Sequence, residues 1–253
     1  MGHDGNTVTT ERGLRLSSYA LLEGEVPVLH PPRLSERARE MREYLALGSG
    51  ALSEILAVAP PQLTALLVAD EDWDYAPRET MRPYPPGLPY FTRSANPPAL
   101  VLPETLSMVF QPRTAATLPL TVWHELGHAF LLRREVVRTP AWFGEFLPQV
   151  AATAVARRAG PLEEHLARLD AAPGFTVRGF GGRTSAGEQM AFQNLLLLHG
   201  AAALSEFGEG FVRRVFRALW EEDDIVDEER AEVLLSVSLG PNGREWLSSR
   251  PEF

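Results

Sequence analysis

Residues 121–130 read TVWHELGHAF, with two histidines four positions apart and a glutamate directly after the first. On a helix, residues i and i+4 share a face, so His124 and His128 can aim both imidazoles at one ion. Glu125 lies about 100° around that helix, beside the ion rather than on it. That arrangement suits a water held on zinc: two histidines hold the metal and the carboxylate takes the proton. Glu125 then passes the proton to a leaving amine. The plainer alternative is a helix that carries two unrelated histidines.

A zinc site of this type needs a third protein ligand and one open position. An extension of the helix with Gly at 131 and His at 134 would supply one, but those positions are Leu131 and Arg134. Glu135 falls on nearly the same face as His128, but about 10 Å further along a continuous helix. Glu145 is the better placed candidate. The first helix is expected to end near Arg134, Thr139-Pro140 is a start signal, and a second helix returns alongside the first. The ordinary reading of Glu145 is an acidic residue in a first helical turn, where the helix dipole favours it.

HELGH followed by PAWFGE resembles the gluzincin zinc peptidases, the group of thermolysin and the alanyl aminopeptidases. The resemblance runs over residues 60–220, with about ten specific positions, and the rest match by pattern. It implies a zincin-like fold, Zn2+ on His124, His128 and Glu145, and Glu125 as general base. It also implies that ANPPALVLPETL holds the edge strand before the active-site helix, with Ala99, Leu100, Val101 and Leu102 pairing with a peptide substrate. Three positions depart from the family pattern. Glu145 is followed by Phe-Leu-Pro instead of Gly, so Pro148 either kinks the helix or marks its start. Gln149 stands where thermolysin-like members carry an Asp that holds a ligand histidine. Phe192 and Gln193 occupy the region of a tyrosine that steadies the oxyanion. His199, Tyr84, Tyr90, Arg178 and Arg183 are the other polar groups able to reach a cleft. A packed core histidine and solvated arginines are the plainer readings of His199 and of the two arginines.

The surrounding chain must position these groups. It has 253 residues, 45% hydrophobic, which is enough for a single domain with a sizeable core. The pattern is α+β. A mixed lobe over 1–136 carries a small sheet and the active-site helix, and a helical lobe covers 137–253. Residues 7–30 are strand-like. A helix is expected over 35–58, capped by Ser35 and open to a break at Gly48–Gly50. LTALLVAD (63–70) and Ala99–Leu102 read as buried strands. The Pro- and aromatic-rich stretch 71–99 reads as an ordered loop with short strands. Helices are expected at 119–134, 140–158, 161–169, 188–206, 208–221 and 227–237, with a Gly-rich loop over 170–187.

Composition narrows the function. The net charge is −9, and all 24 basic residues are arginine. An acidic chain lacks the basic face that nucleic acid requires. The absence of cysteine excludes disulfides and thiolate metal sites. With no apolar leader at the N-terminus and no run of about 18 apolar residues, a cytoplasmic protein without membrane spans is expected. No Gly-x-Met-Glu-Asn stretch is present to anchor a substrate N-terminus, which favours an endopeptidase. Three readings follow: a zinc peptidase acting on peptides or proteins, a metal- or peptide-binding protein with weak or no hydrolysis, and a structural protein in which HELGH is accidental. The intact Glu125 favours the enzyme, because a binding module has little need of it.

Overall fold

A computed structural model describes residues 18–80, 84–107, 109–110, 113–132, 138–160, 162–169, 174–178, 185–223 and 225–253. Glu135, Arg134 and Arg183 lie outside these residues, as do 7–17 of the strand-like N-terminal stretch and most of the 170–187 loop. The protein is mixed α+β. Five strands form one sheet in the order β1-β2-β3-β5-β4. They are β1 (Ala20–Leu22), β2 (Val28–His30), β3 (Thr64–Val68), β4 (Tyr90–Thr92) and β5 (Ala99–Pro103). β2, β3 and β5 run parallel, while β1 and β4 pair antiparallel at the two ends.

The strand order corrects one expectation. β5 does not lie at the edge of the sheet. It pairs with β3 on one side and with β4 on the other. Ala99, Leu100, Val101 and Leu102 are all buried, so their main chain is already used in two ladders and is closed to a substrate strand. The continuous apolar run that marks β5 is the signature of a parallel strand covered on both faces. The edge belongs to β4, a three-residue strand that the sequence buries within a Pro-rich loop.

Helices pack on one face of the sheet. They are α1 (Ser35–Leu56), α2 (Thr117–Leu131), α3 (Ala141–Ala159), α4 (Leu162–Leu166), α5 (Ala186–Phe207), α6 (Gly210–Trp220), α7 (Glu228–Leu239) and α8 (Gly243–Ser248). On this face Val28, Ala65, Leu67, Leu100 and Leu102 join one apolar cluster with the helices. On the other face Leu66, Val68, Ala99 and Val101 pack with Trp73 and Tyr90. Trp73 belongs to a 3-10 helix over Asp70–Tyr75, so the loop is ordered there as expected.

Two details of α1 differ from the sequence reading. Ser35 is its first residue and makes no capping bond, because a 3-10 turn at Pro32–Leu34 runs straight into the helix. Gly48 and Gly50 do not break it. Gly48 is instead a contact point, since a Cβ there would lie 2.4 Å from Cδ1 of Trp123. Glycine inside a helix costs about 1 kcal/mol against alanine, and here it lets α2 lie close against α1. The Trp123 indole N–H then donates to the Tyr44 carbonyl at 2.8 Å.

α5 begins with a capping box, in which Ser185 and Glu188 satisfy each other's main-chain N–H groups. His199 on α5 is a core residue. It packs edge-on to Phe253 and Trp246, with ring centroids at 5.2 and 6.4 Å. Its Nε2 is buried without a hydrogen-bond partner among the described residues. Among the described residues no single helix is long and apolar enough to cross a membrane.

Burial pushes the His199 imidazole down to about 4, with Glu252 raising and Arg250 lowering it by smaller amounts. The unfolded chain therefore takes up a proton near 6.5 that the folded chain refuses until about 4. Stability present above 6.5 is lost as pH falls through that window. Denaturant unfolding at pH 7 and 4.5 should show wild type losing about 2–3 kcal/mol more than His199→Leu. An equal loss in both proteins would exclude a neutral buried imidazole.

Candidate metal centre

α2 is buried nearly all round, as expected of a helix apolar on every face. Its polar exceptions, Thr121, His124, Glu125 and His128, lie along one cleft with Leu120 and Leu132. α3 starts at Ala141 behind Pro140 and runs antiparallel along α2. Ala141, Glu145 and Gln149 recur every four residues and line the same cleft. Pro148 sits inside α3, so it does not mark the helix start. Its missing N–H would have faced the carbonyl of Gly144, one turn back.

The two helices come close where Gly127 meets Pro148. A Cβ on Gly127 would lie 2.8 Å from the Pro148 Cα and 3.0 Å from its carbonyl oxygen. The glycine of HELGH is therefore a packing requirement. It holds α3 at the depth where Glu145 reaches the histidines.

The result is a compact donor set. His124 Nε2 lies 3.2 Å from Glu145 Oε2 and 3.2 Å from His128 Nε2. The third side, His128 Nε2 to Glu145 Oε2, measures 3.7 Å. Four tetrahedral ligands at about 2.0–2.1 Å from a metal stand about 3.3–3.4 Å apart. The three atoms thus have the spacing of three corners around one ion. His124, His128 and Glu145 are a group able to hold a metal ion.

Gln149 fixes the state of His124. Its side-chain oxygen can only accept, so His124 Nδ1 donates to it at 3.0 Å and Nε2 keeps its lone pair for a metal. Gln149 does this without adding a charge to a buried site. Burial pushes the Glu145 carboxyl up, but the imidazoles of His128 and His124 more than reverse this and hold it well below the usual carboxylate range. Glu125 behaves oppositely. Burial pushes its carboxyl up to about 7, Glu145 adds to the rise, and His124 and the Phe91 N–H oppose it. Two carboxylates in one site are thereby driven to different proton affinities, the pattern of a base beside a ligand.

The cleft has a volume of about 910 Å³. β4 and the preceding loop form one wall, with Tyr84, Leu88, Pro89 and Phe91. Tyr84 stacks on Tyr90 at 4.2 Å, and Tyr90 is locked by donating to the Pro77 carbonyl at 3.0 Å. The Tyr84 carbonyl accepts from the Trp73 indole at 2.9 Å. Burial raises the Tyr84 phenol, and the charges of Glu79, Glu125 and Glu145 raise it further, so it keeps its proton at neutral pH.

Other expected groups lie elsewhere. Phe192 is buried in the core while Gln193, one residue on, lines the cleft. Arg178 pairs with Glu232 at 3.0 Å and lies 5.6 Å from the Trp142 ring, so it is not a substrate clamp. His199 does not line the cleft. Sequence reasoning missed His165 on α4, which does, and whose Nδ1 lies 2.7 Å from Thr114 Oγ1. It also missed Gln189 and Asn194. The Gln189, Gln193 and Leu197 spacing on α5 is the signal that could have found that wall.

No protein-family model matches the chain, and no curated protein matches it.

Gln149→Leu should leave the fold intact and weaken metal binding about 10–100-fold, measured by competition with a chromophoric chelator. Unchanged affinity would show that Gln149 does not orient His124. Gly127→Ala should cost about 1–3 kcal/mol by overpacking, read as a lower thermal midpoint together with weaker metal binding. A more stable protein with intact metal binding would refute the close-approach constraint.

Proposed function

We propose that this chain is a zinc-dependent peptidase of gluzincin type, with a zincin-like fold. The carrying observation is the convergence of His124, His128 and Glu145 at 3.2–3.7 Å, with Glu125 beside them at a displaced proton affinity. A His2Glu donor set suits zinc and leaves one position for the reaction. When bound, the metal supplies Lewis acidity, lowering the pKa of water and polarising the scissile carbonyl.

The remaining work falls to the chain's own groups. Glu125 takes the proton from the attacking water and returns it to the leaving nitrogen. Its elevated proton affinity suits both halves of that transfer. The Phe91 N–H keeps the carboxylate on the cleft side. The substrate chain lies along the wall formed by Leu88, Pro89 and Phe91, the role that β5 cannot fill. Tyr84 donates its phenolic hydrogen to the developing oxyanion, in place of a tyrosine from the α5 region. A protein that merely held a metal would keep the three ligands and have no use for a desolvated Glu125.

Two measurements test this reading. Elemental analysis of protein purified without a metal-chelating tag should find about one zinc per chain, and much less in Glu145→Ala. Glu125→Gln should keep its zinc and lose at least about 10²-fold in peptide hydrolysis. Failure of wild type to bind zinc even when supplied would end the proposal. So would undiminished hydrolysis by Glu125→Gln.

A further inference from the structure

A carboxamide carries two donors and two acceptor sites. Leaving such a group buried and unpaired costs about 1–3 kcal/mol. α5 turns three of them into the cleft: Gln189, Gln193 and Asn194. Asn194 is only 9% exposed. Gln193 is half-buried beside it on the same wall. His165 adds a fourth polar group to the cleft lining, and burial lowers its proton affinity, so it is neutral near pH 7. The charged residues lining the cleft, among those described, are Glu125 and Glu145, both belonging to the metal centre.

This wall is built to hydrogen-bond something uncharged. β4 and its loop form the other wall, so a chain lying between the two walls turns side chains toward α5. We infer that Gln189, Gln193 and Asn194 form a subsite for an uncharged amide side chain, asparagine or glutamine, of a peptide substrate. The inference rests on the peptidase reading for the substrate being a peptide. A side-chain amide offers both donors and an acceptor to the three carboxamides. An alkyl side chain of similar length offers the three carboxamides neither donor nor acceptor. A carboxylate offers no donor to the three carboxamide oxygens. Sites of this kind reject the analogue that lacks the hydrogen-bonding group far better than apolar pockets distinguish sizes.

The test uses binding, so that it does not depend on turnover. Acetylated and amidated oligoalanine octapeptides, each carrying one Gln, Glu or Leu at a scanned central position, are titrated calorimetrically into zinc-loaded Glu125→Gln protein. At one position the Gln peptide should bind about tenfold or more tighter than its Glu and Leu counterparts. Adding Gln193→Ala and Asn194→Ala should reduce that ratio below about threefold with zinc content unchanged. Gln193→Ala alone, at a half-buried helical position that tolerates alanine, should already lower it. Equal binding of the three peptides, no binding of any, or a ratio that survives both substitutions would overturn the subsite. Selective binding without cleavage by wild type would keep the subsite and overturn the peptidase reading. Cleavage without selectivity would do the reverse.

Discussion

The contact on which the site depends is the close approach of α2 and α3 at Gly127 and Pro148. A metal centre of this kind tolerates little error in donor placement, because bond lengths to the ion are fixed near 2 Å. Two of the three donors share one helix and are set by its pitch. The third comes from another helix, so the distance between the helix axes decides whether a site exists. A helix with no side chain at 127, lying against the main chain at Pro148, lets α3 come near enough for a glutamate to span the gap. Pro148 is one half of that contact.

The electrostatics follow from the same geometry. Bringing a carboxylate against two imidazoles in a buried cleft is unfavourable unless their charges are complementary or an ion is shared. Gln149 orients His124 without contributing a second negative charge. The combined negative charge of the site is carried by Glu145 and Glu125 alone. The two respond in opposite directions: contact with the imidazoles dominates for Glu145, and desolvation dominates for Glu125. This division of roles comes from surroundings, since the two side chains are chemically identical.

The cleft walls have unlike chemistry for a structural reason. β4 ends a sheet whose far face is covered by Trp73 and Tyr90, so its loop is aromatic and apolar. α5 packs its other sides into the helical core and turns a polar stripe toward the opening. The His124–His128–Glu145 group thus lies between an aromatic, apolar wall and a row of carboxamides.

Local features of the chain were legible without coordinates. The i, i+4 spacing of His124 and His128, the start of α3 after Pro140, the apolar runs of β3 and β5 and the helices α2 to α7 are all set by neighbours within a few residues, whereas α8 was not expected. Glu145 was legible too, because a short connection between two helices leaves few ways for them to lie. What spacing could not decide was everything set by non-local partners. The order of strands placed β5 inside the sheet and gave β4 the edge, since pairing joins residues that are distant in sequence and apolar composition is the same for both. Whether Phe192 or Gln193 faced the cleft depended on how α5 is rotated against α3. His199 took the core role that was its plainer reading, enclosed by Trp246 of α8 and by Phe253, while His165, to which sequence gave no role, lines the cleft. By itself, then, the sequence determined the ligand types, their helical spacing and the presence of a base beside them. Tertiary packing alone decided which strand edge and which helix face meet that site, because those depend on contacts that no local pattern encodes.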